Sequence, residues 1–384
     1  MKTHTLSLER DQHVVRQQQQ PARNLESTLN SAGNESYMIV RMKALLLLAP
    51  LLAVASPATV EDIFTQAPFK SCHASTVIEL PNGDLLSAWF GGTAEGNPDT
   101  GIWASRRIAS TNQWTAPIEL VKEPNVAMYN PVFFYTNDHR LWLYYKFGVH
   151  PTSWSAGRMF STDAGKSWSK PEHLPAGLLG PIRAKPLVLP SGVIVSGTSV
   201  ESYRSWAVWI ERSTDNGKTW TKFGPITVLN TAGADPKGNA EWDRTDGIIQ
   251  PSVISLGGKH LRLYARSTSK TGKICIADSN DDGLTWTQAS TIELPNPNSG
   301  IDAVALKDGR VVVVYNHSTK GRTPLNLALS KDGTHFQMFK TLEDEPGEYS
   351  YPSMIEAANG DLLITYTWNR TRIRHVRFPI AEVH

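Results

Sequence analysis

The stretch Ser213-Thr-Asp-Asn-Gly-Lys-Thr-Trp220 restricts the possible folds more than any other. Its pattern, Ser-x-Asp-x-Gly-x-x-Trp, recurs from Ser161 to Trp168 and from Ser279 to Trp286, with a worn and shorter copy from Ser330 to Phe336. In such a turn the Asp carboxylate accepts hydrogen bonds from backbone N–H groups, and the Gly supplies a positive φ. The Trp folds back as an apolar anchor. Several copies of one eight-residue pattern in a single chain amount to a repeat, which has to be read before any other feature. The repeat points to an architecture and leaves the chemistry open.

A second phrase accompanies the first. Val77-Ile-Glu-Leu-Pro-Asn-Gly-Asp-Leu-Leu-Ser-Ala-Trp89 is an apolar strand, a turn and another apolar strand, and it returns near Val132, Leu187, Val253, Val304 and Met354. Copies separated by about 50 to 65 residues define six units. Each holds an inner hairpin followed by an outer one, often turned by the Asp-containing box. From about residue 60 onward no amphipathic helical period is present, only short apolar or alternating runs broken by Gly, Asn, Asp and Pro. The expected fold is therefore all-β, a six-bladed β-propeller of four-stranded antiparallel blades over residues 59–384. A β-sandwich is the runner-up, but it has no need of six equivalent phrases.

Composition narrows the partners. The formal net charge is +2 over 384 residues, which excludes a strongly basic nucleic-acid or membrane surface. Twelve Trp suit both blade packing and stacking on sugar faces. Cys72 and Cys275 could pair, but two cysteines make neither a disulfide framework nor a metal site. No His/Cys spacing suits a metal, and no cofactor is expected. Near the start, Arg41 and Lys43 precede the apolar run Ala44 to Ala55, and Ala53-Val-Ala55 has the small-x-small form of a cleavage site. We expect a signal peptide over residues 42–58, with Met42 as the true start and export to the periplasm or beyond. Residues 1–41, with the run Gln17 to Gln20, read as disordered or as a mis-assigned upstream start. The mature protein is expected to be a monomer free of the membrane.

In a propeller the leading residues of each first strand line one mouth of the axial channel. At that position stand Cys72 and His73, Tyr129 and Asn130, Arg183 and Lys185, Gln250, Asp302, and Tyr349 to Tyr351. Polar residues recurring where a strand tolerates apolar ones suggest a ligand pocket.

Together these residues resemble the sialidase (neuraminidase) superfamily, in its Asp-box or BNR-repeat branch, over about residues 70 to 375. The resemblance implies three arginines gripping a substrate carboxylate, an Asp acid/base and a Tyr nucleophile activated by a Glu. On it, Arg266 in Leu263-Tyr-Ala-Arg-Ser267 and Arg322 in Gly321-Arg-Thr-Pro324 carry over as carboxylate ligands. Guanidinium groups bind carboxylates through paired N–H···O bonds. Asp99 in Pro98-Asp-Thr-Gly101 matches the acid/base loop, and Tyr351, with Tyr349 second, matches the nucleophile. Three positions depart from the pattern: His73 replaces the first Arg, Gln250 replaces the Glu, and Thr367 replaces a late acidic residue. An amide cannot take a proton from Tyr, so another carboxylate (Glu201, Glu241 or Glu348) does that work or the reaction differs.

The plainer readings stay beside these. Arg266 and Arg322 could form inter-blade ion pairs, Asp99 could cap its own turn, and His73 could be a satisfied structural residue. Arg183, Lys185, Asn130, Glu201, Asp302 and Trp368 are further candidates for substrate contact, as is the loop holding Glu241, Trp242 and Asp243. Trp206 could stack on a sugar or simply pack. The box residues Asp163, Asp215, Asp281 and Asp332 are turn residues and not catalytic. The implied function is an exported exo-glycosidase removing a terminal carboxylated sugar from a glycan. The alternatives are elimination on a uronate by a Tyr/His pair, and glycan binding without catalysis.

Overall fold

The computed structural model describes residues 57–202, 205–228 and 247–384. The upstream segment, all but the end of the expected leader, and Glu241, Trp242 and Asp243 lie outside the described residues. Six antiparallel sheets follow one another along the chain. Blade one spans Ser71–Val121, blade two Met128–His173, blade three Leu187–Ile226, blade four Ile248–Pro295 and blade five Asp302–Glu343. Blade six joins Tyr349–Glu356, Leu362–Trp368 and Arg372–Phe378 to the N-terminal strand Thr59–Asp62. First strands of neighbouring blades touch around the axis, as in the sequence-based expectation. Blade one departs from four strands. Its outer edge is split into Gln113–Trp114 and Ile118–Val121, both paired with Gly101–Ile108.

The repeated phrase is one hairpin used again and again. In blade one Leu80 N–H donates to Asp84 O at 2.8 Å and Gly83 N–H to Leu80 O at 2.8 Å, with Gly83 at φ 81°. Leu306 with Arg310 and Ala357 with Asp361 repeat the closing bond at 2.7 and 2.8 Å. A left-handed residue at the third turn position is cheapest as Gly, which is why the phrase keeps it.

The box is likewise a local hydrogen-bond device. Ser213 Oγ accepts from Gly217 N–H at 2.9 Å and donates to Asp215 at 2.8 Å, while Asp215 accepts from Thr219 N–H at 2.9 Å. The indole Nε1 of Trp220 donates to Gly217 O at 3.0 Å. Equivalent bonds turn the third strand into the fourth in blades two, four and five. The apolar faces pack between blades, as where Val312, Val314 and Leu325 of blade five meet Met354, Ile364 and Tyr366 of blade six. Cys72 and Cys275 are both free and buried.

The ring is closed by the chain's two ends. Thr59 pairs with Arg377 and Asp62 with Arg374, and Asp62 binds Arg372 at 2.8 Å and Arg374 at 3.1 Å. Glu61 accepts from Trp114 and Arg107 of blade one, at 3.0 and 2.8 Å, and meets His375 of blade six at 2.9 Å. Burial alone would raise the Glu61 pKa, but His375, Trp114 and Arg107 outweigh it and hold it low. Its stabilising contribution is therefore present above the ordinary carboxylate value of 4.5 and is lost as pH falls through the lowered one. Glu61→Ala is expected to lower the unfolding free energy by about 1–3 kcal/mol at neutral pH by orphaning these donors. Urea denaturation measures it, and an unchanged midpoint would show that the closure does not depend on Glu61.

Candidate active site

Antiparallel order decides which residues can meet. The start of each first strand and the link from second to third strand lie at one end of a blade, and the Asp-containing boxes at the other. At the first end a cavity of about 500 Å³ gathers residues from every blade. Blade one sends Glu95, blade two Asn130 and the turn His150 to Trp154, and blade three Glu201 and Trp206. Blade four supplies Gln250 and Arg266, blade five Arg322 and blade six Tyr351. A larger hollow of about 660 Å³ opens between strand residues such as Val253, Val304 and Leu306. Its Lys185 and Lys307 are already engaged, by Asp302 at 3.1 Å and by the Ala357 carbonyl at 3.2 Å. The smaller cavity, to which every blade contributes and which holds Arg266 and Tyr351, is therefore the candidate site.

Four first strands share one distortion. Register slips by a residue between His73 and Thr76, Tyr129 and Val132, Ile249 and Ser252, and Ser350 and Ser353. Inside these bulges Ala74, Asn130, Gln250 and Tyr351 have φ of 57, 41, 54 and 52°. Non-glycine residues rarely accept positive φ, and such outliers gather where a side chain has been re-aimed for a purpose. Three of these four side chains line the cavity. Ala74, the fourth, is held by Thr367, whose Oγ1 accepts from its N–H at 3.1 Å.

Tyr351 lies at the centre of the floor. Its hydroxyl oxygen accepts from Arg266 Nη1 at 2.7 Å and from Gln250 Nε2 at 3.2 Å. Gln250 Oε1 accepts from the same Arg266 nitrogen at 3.2 Å, and Asn298 Oδ1 accepts from Arg266 Nε at 2.8 Å. The guanidinium carbons of Arg183, Arg322 and Arg266 lie 5.3, 5.4 and 5.8 Å from the centre of the Tyr351 ring. Arg266 also lies 5.7 Å from the Trp206 ring.

The acidic groups are unevenly committed. Glu348 binds Arg322 at 2.9 Å and Arg370 at 3.0 Å. Burial works against its charge, but Arg370 and Arg322 hold its pKa low. Arg370 also binds Glu95 at 2.5 Å. Arg266, buried, has neutral hydrogen-bond partners, and among the described residues no carboxylate lies within ion-pair distance of it. Burial raises the pKa of Glu201, Arg266 opposes the rise and Glu95 adds to it. His73 is buried against Tyr351, ring centres 4.3 Å apart. Burial first, then Arg370, Arg322, Arg183 and Arg266, keeps its pKa well below the usual range, so it is neutral.

The model of the BNR repeat-like domain matches residues 83–364, most of the chain. The chain belongs to the BNR repeat-like domain family. The NanB sialidase of Streptococcus pneumoniae shares the fold with TM-score 0.67 and 14% identity, over 84% of this chain and 71% of that one. A protein of unknown function from Dyadobacter fermentans gives 0.67 and 17% over 85% and 98%. The intramolecular trans-sialidase of Ruminococcus gnavus gives 0.64 and 13% over 82% and 96%. No curated protein matches the sequence. Identities this low establish the shared fold.

Within this BNR repeat-like propeller the expected site residues divide. Arg266, Arg322, Tyr351, Gln250, Asn130 and Glu201 meet in the cavity, and Trp206 lines it. Tyr349 instead packs in the core between blades five and six. His73 lies behind Tyr351, and its Nδ1 has no hydrogen-bond partner. Asp99 is exposed and bound to its own loop, accepting from Thr93 N–H at 3.0 Å, and Thr93's hydrogen bonds hold its pKa low. Trp368 lies under Arg374 and Arg372, 4.8 and 5.4 Å away, outside the cavity.

Arg183, Lys185 and Asp302 do not line this cavity: Arg183 and Asp302 are buried, and Lys185 borders the larger hollow. Arg183 donates to Ile301 O at 2.7 Å and to Pro352 O. Asp302 accepts from Lys185 at 3.1 Å, Ser252 at 2.7 Å and Met354 N–H at 2.8 Å. Sequence reasoning missed Glu95, Arg370 and the turn from His150 to Trp154. Only Trp154, in a short link between strands, carried a visible signal. Asp302→Ala is expected to cost about 3–5 kcal/mol, because it leaves Lys185 without its counter-ion, the Met354 N–H without its acceptor and Ser252 without its nearer one. Chemical denaturation measures this, and a loss below about 1 kcal/mol would contradict a joining role for Asp302.

Proposed function

We propose that the protein is a sialidase-like glycoside hydrolase acting on the terminal carboxylated sugar of a glycan. The observation that carries the reading is Arg266, a buried cation facing the cavity whose hydrogen-bond partners among the described residues are all neutral and which has no carboxylate among them within ion-pair distance. A buried charge without a counter-ion is costly, and a ligand carboxylate would supply that counter-ion. Arg322, partly engaged by Glu348, would give the second guanidinium of the clamp. Trp206 and Trp154 offer apolar faces to a sugar ring. Tyr351 would meet the anomeric carbon as nucleophile, the exception to the two-carboxylate pattern of glycosidases. The solved propellers that share this fold include proteins whose names state sialidase and trans-sialidase activity, which favours the same chemistry here. Elimination by a Tyr/His pair is less well supported, since His73 does not line the cavity.

We also propose export, supported by the apolar run Ala44 to Ala55 and its flanking charges. Protein recovered from the periplasm or medium should begin between Val54 and Thr59. A mature chain retaining residues upstream of Met42 would contradict this.

Released sugar from sialylated and from uronate-terminated oligosaccharides, followed by chromatography, tests the activity. Free acidic sugar is expected, whereas an unsaturated uronate or no product at all would overturn hydrolysis. Arg266→Met is expected to weaken binding of the free carboxylated sugar by about 100-fold, the value of a lost charge-assisted contact. Calorimetry measures the affinity, and an unchanged value would remove Arg266 from the clamp.

A further inference from the structure

Of the carboxylates near the cavity among the described residues, most are already committed. Glu348 is held by Arg322 and Arg370, and Glu95 by Arg370. Asp99 is tied to Thr93 outside the cavity. Glu201 is different. It ends the second strand of blade three, lies opposite Trp206 in register, and lines the cavity.

The floor also dictates where the Tyr351 proton can go. A guanidinium has only donors, so Gln250 must present its oxygen to Arg266 and its NH₂ to Tyr351. The Tyr351 oxygen therefore accepts from both neighbours, as the distances of 2.7 and 3.2 Å show. Neither neighbour can take its proton. That proton is left for an acceptor in the cavity.

We propose that Glu201 is the proton-transfer residue of this cavity, carrying the Tyr351 proton to the leaving oxygen and back. The proposal rests on the glycosidase reading above. In the first half, Tyr351 Oη bonds to the anomeric carbon and the bond to the bridging oxygen breaks. The phenolic proton passes to Glu201 and from it to that oxygen, which departs as an alcohol. In the second half a water oxygen bonds to the anomeric carbon, and the bond to Tyr351 Oη breaks. One water proton returns to Tyr351 through Glu201, and the sugar leaves with its hydroxyl. One carboxylate serves both halves, so Gln250 need not act as a base. The raised pKa of Glu201, from burial and from Glu95 against the pull of Arg266, suits a group that must both take and give a proton near neutrality.

The test uses the full chain with sialyllactose and with an aryl glycoside of sialic acid. Glu201→Gln is expected to lower turnover of sialyllactose by about 100-fold or more, with KM changed less than about threefold. The loss should be smaller with the aryl glycoside, whose leaving group needs little protonation. Glu201→Asp should retain part of the turnover and move the acidic limb of the pH profile. Unchanged turnover in Glu201→Gln overturns the proposal. So does a raised KM with turnover intact, which would make Glu201 a binding residue. If the unaltered protein releases sugar neither from these substrates nor from uronate-terminated oligosaccharides, the glycosidase reading itself fails, a result distinct from the other two.

Discussion

The molecule depends on how six first strands are joined where they converge. Their edges bury polar groups such as Arg183, Ser252 and Asp302, and buried polar groups must find partners. Asp302 answers this by collecting donors from blades four and six and from Lys185 ahead of blade three. Arg183 does the same one layer nearer the cavity, spanning to the Ile301 and Pro352 carbonyls. The Pro352 contact fixes the backbone next to Tyr351, so the joint that holds the blades together also sets the floor of the site. A ring of separate sheets thereby acquires a rigid base on which a few side chains can be aimed.

Above that base the charges are arranged asymmetrically. Arg322 and Arg370 share Glu348, and Arg370 also holds Glu95, so this side of the rim is balanced by the protein itself. Across the floor, the hydrogen bonds of Arg266 among the described residues go only to amide and hydroxyl groups. A Glu in place of Gln250 would give Arg266 a permanent counter-ion, and the amide withholds one. The same substitution that removes the obvious base for Tyr351 therefore leaves the cavity more strongly cationic. The anion recognition and the reassigned proton transfer proposed above would then have one cause.

The elements legible in the sequence were those whose signals are local. The boxes and the Gly-containing hairpins are complete hydrogen-bond devices within eight or nine residues, and their count gave the blades. Arg266 and Arg322 were found because each stands at a strand end or link. What escaped depended on the bulges. In a regular strand Tyr349 and Tyr351 would face the same side. The extra residue turns Tyr351 into the cavity and leaves Tyr349 in the core, and no local pattern announces it. Asp302 and Lys185 stood at the expected level of the chain but below the floor, a matter of depth that alternation cannot report. Arg370 hides in a turn at φ 54°, and Glu95 in a loop whose Asp99 looked the better acid. Nothing in their neighbours marks either.

The buried charge of Arg266 is the proposed seat of a ligand carboxylate. A structure of the protein with a carboxylated monosaccharide bound tests this most directly. The carboxylate oxygens are predicted to lie within hydrogen-bond distance of Arg266 and Arg322, with the ring above Tyr351 and beside Trp206. A sugar bound with its carboxylate turned away from Arg266, or seated in the apolar hollow near Val253, would contradict it.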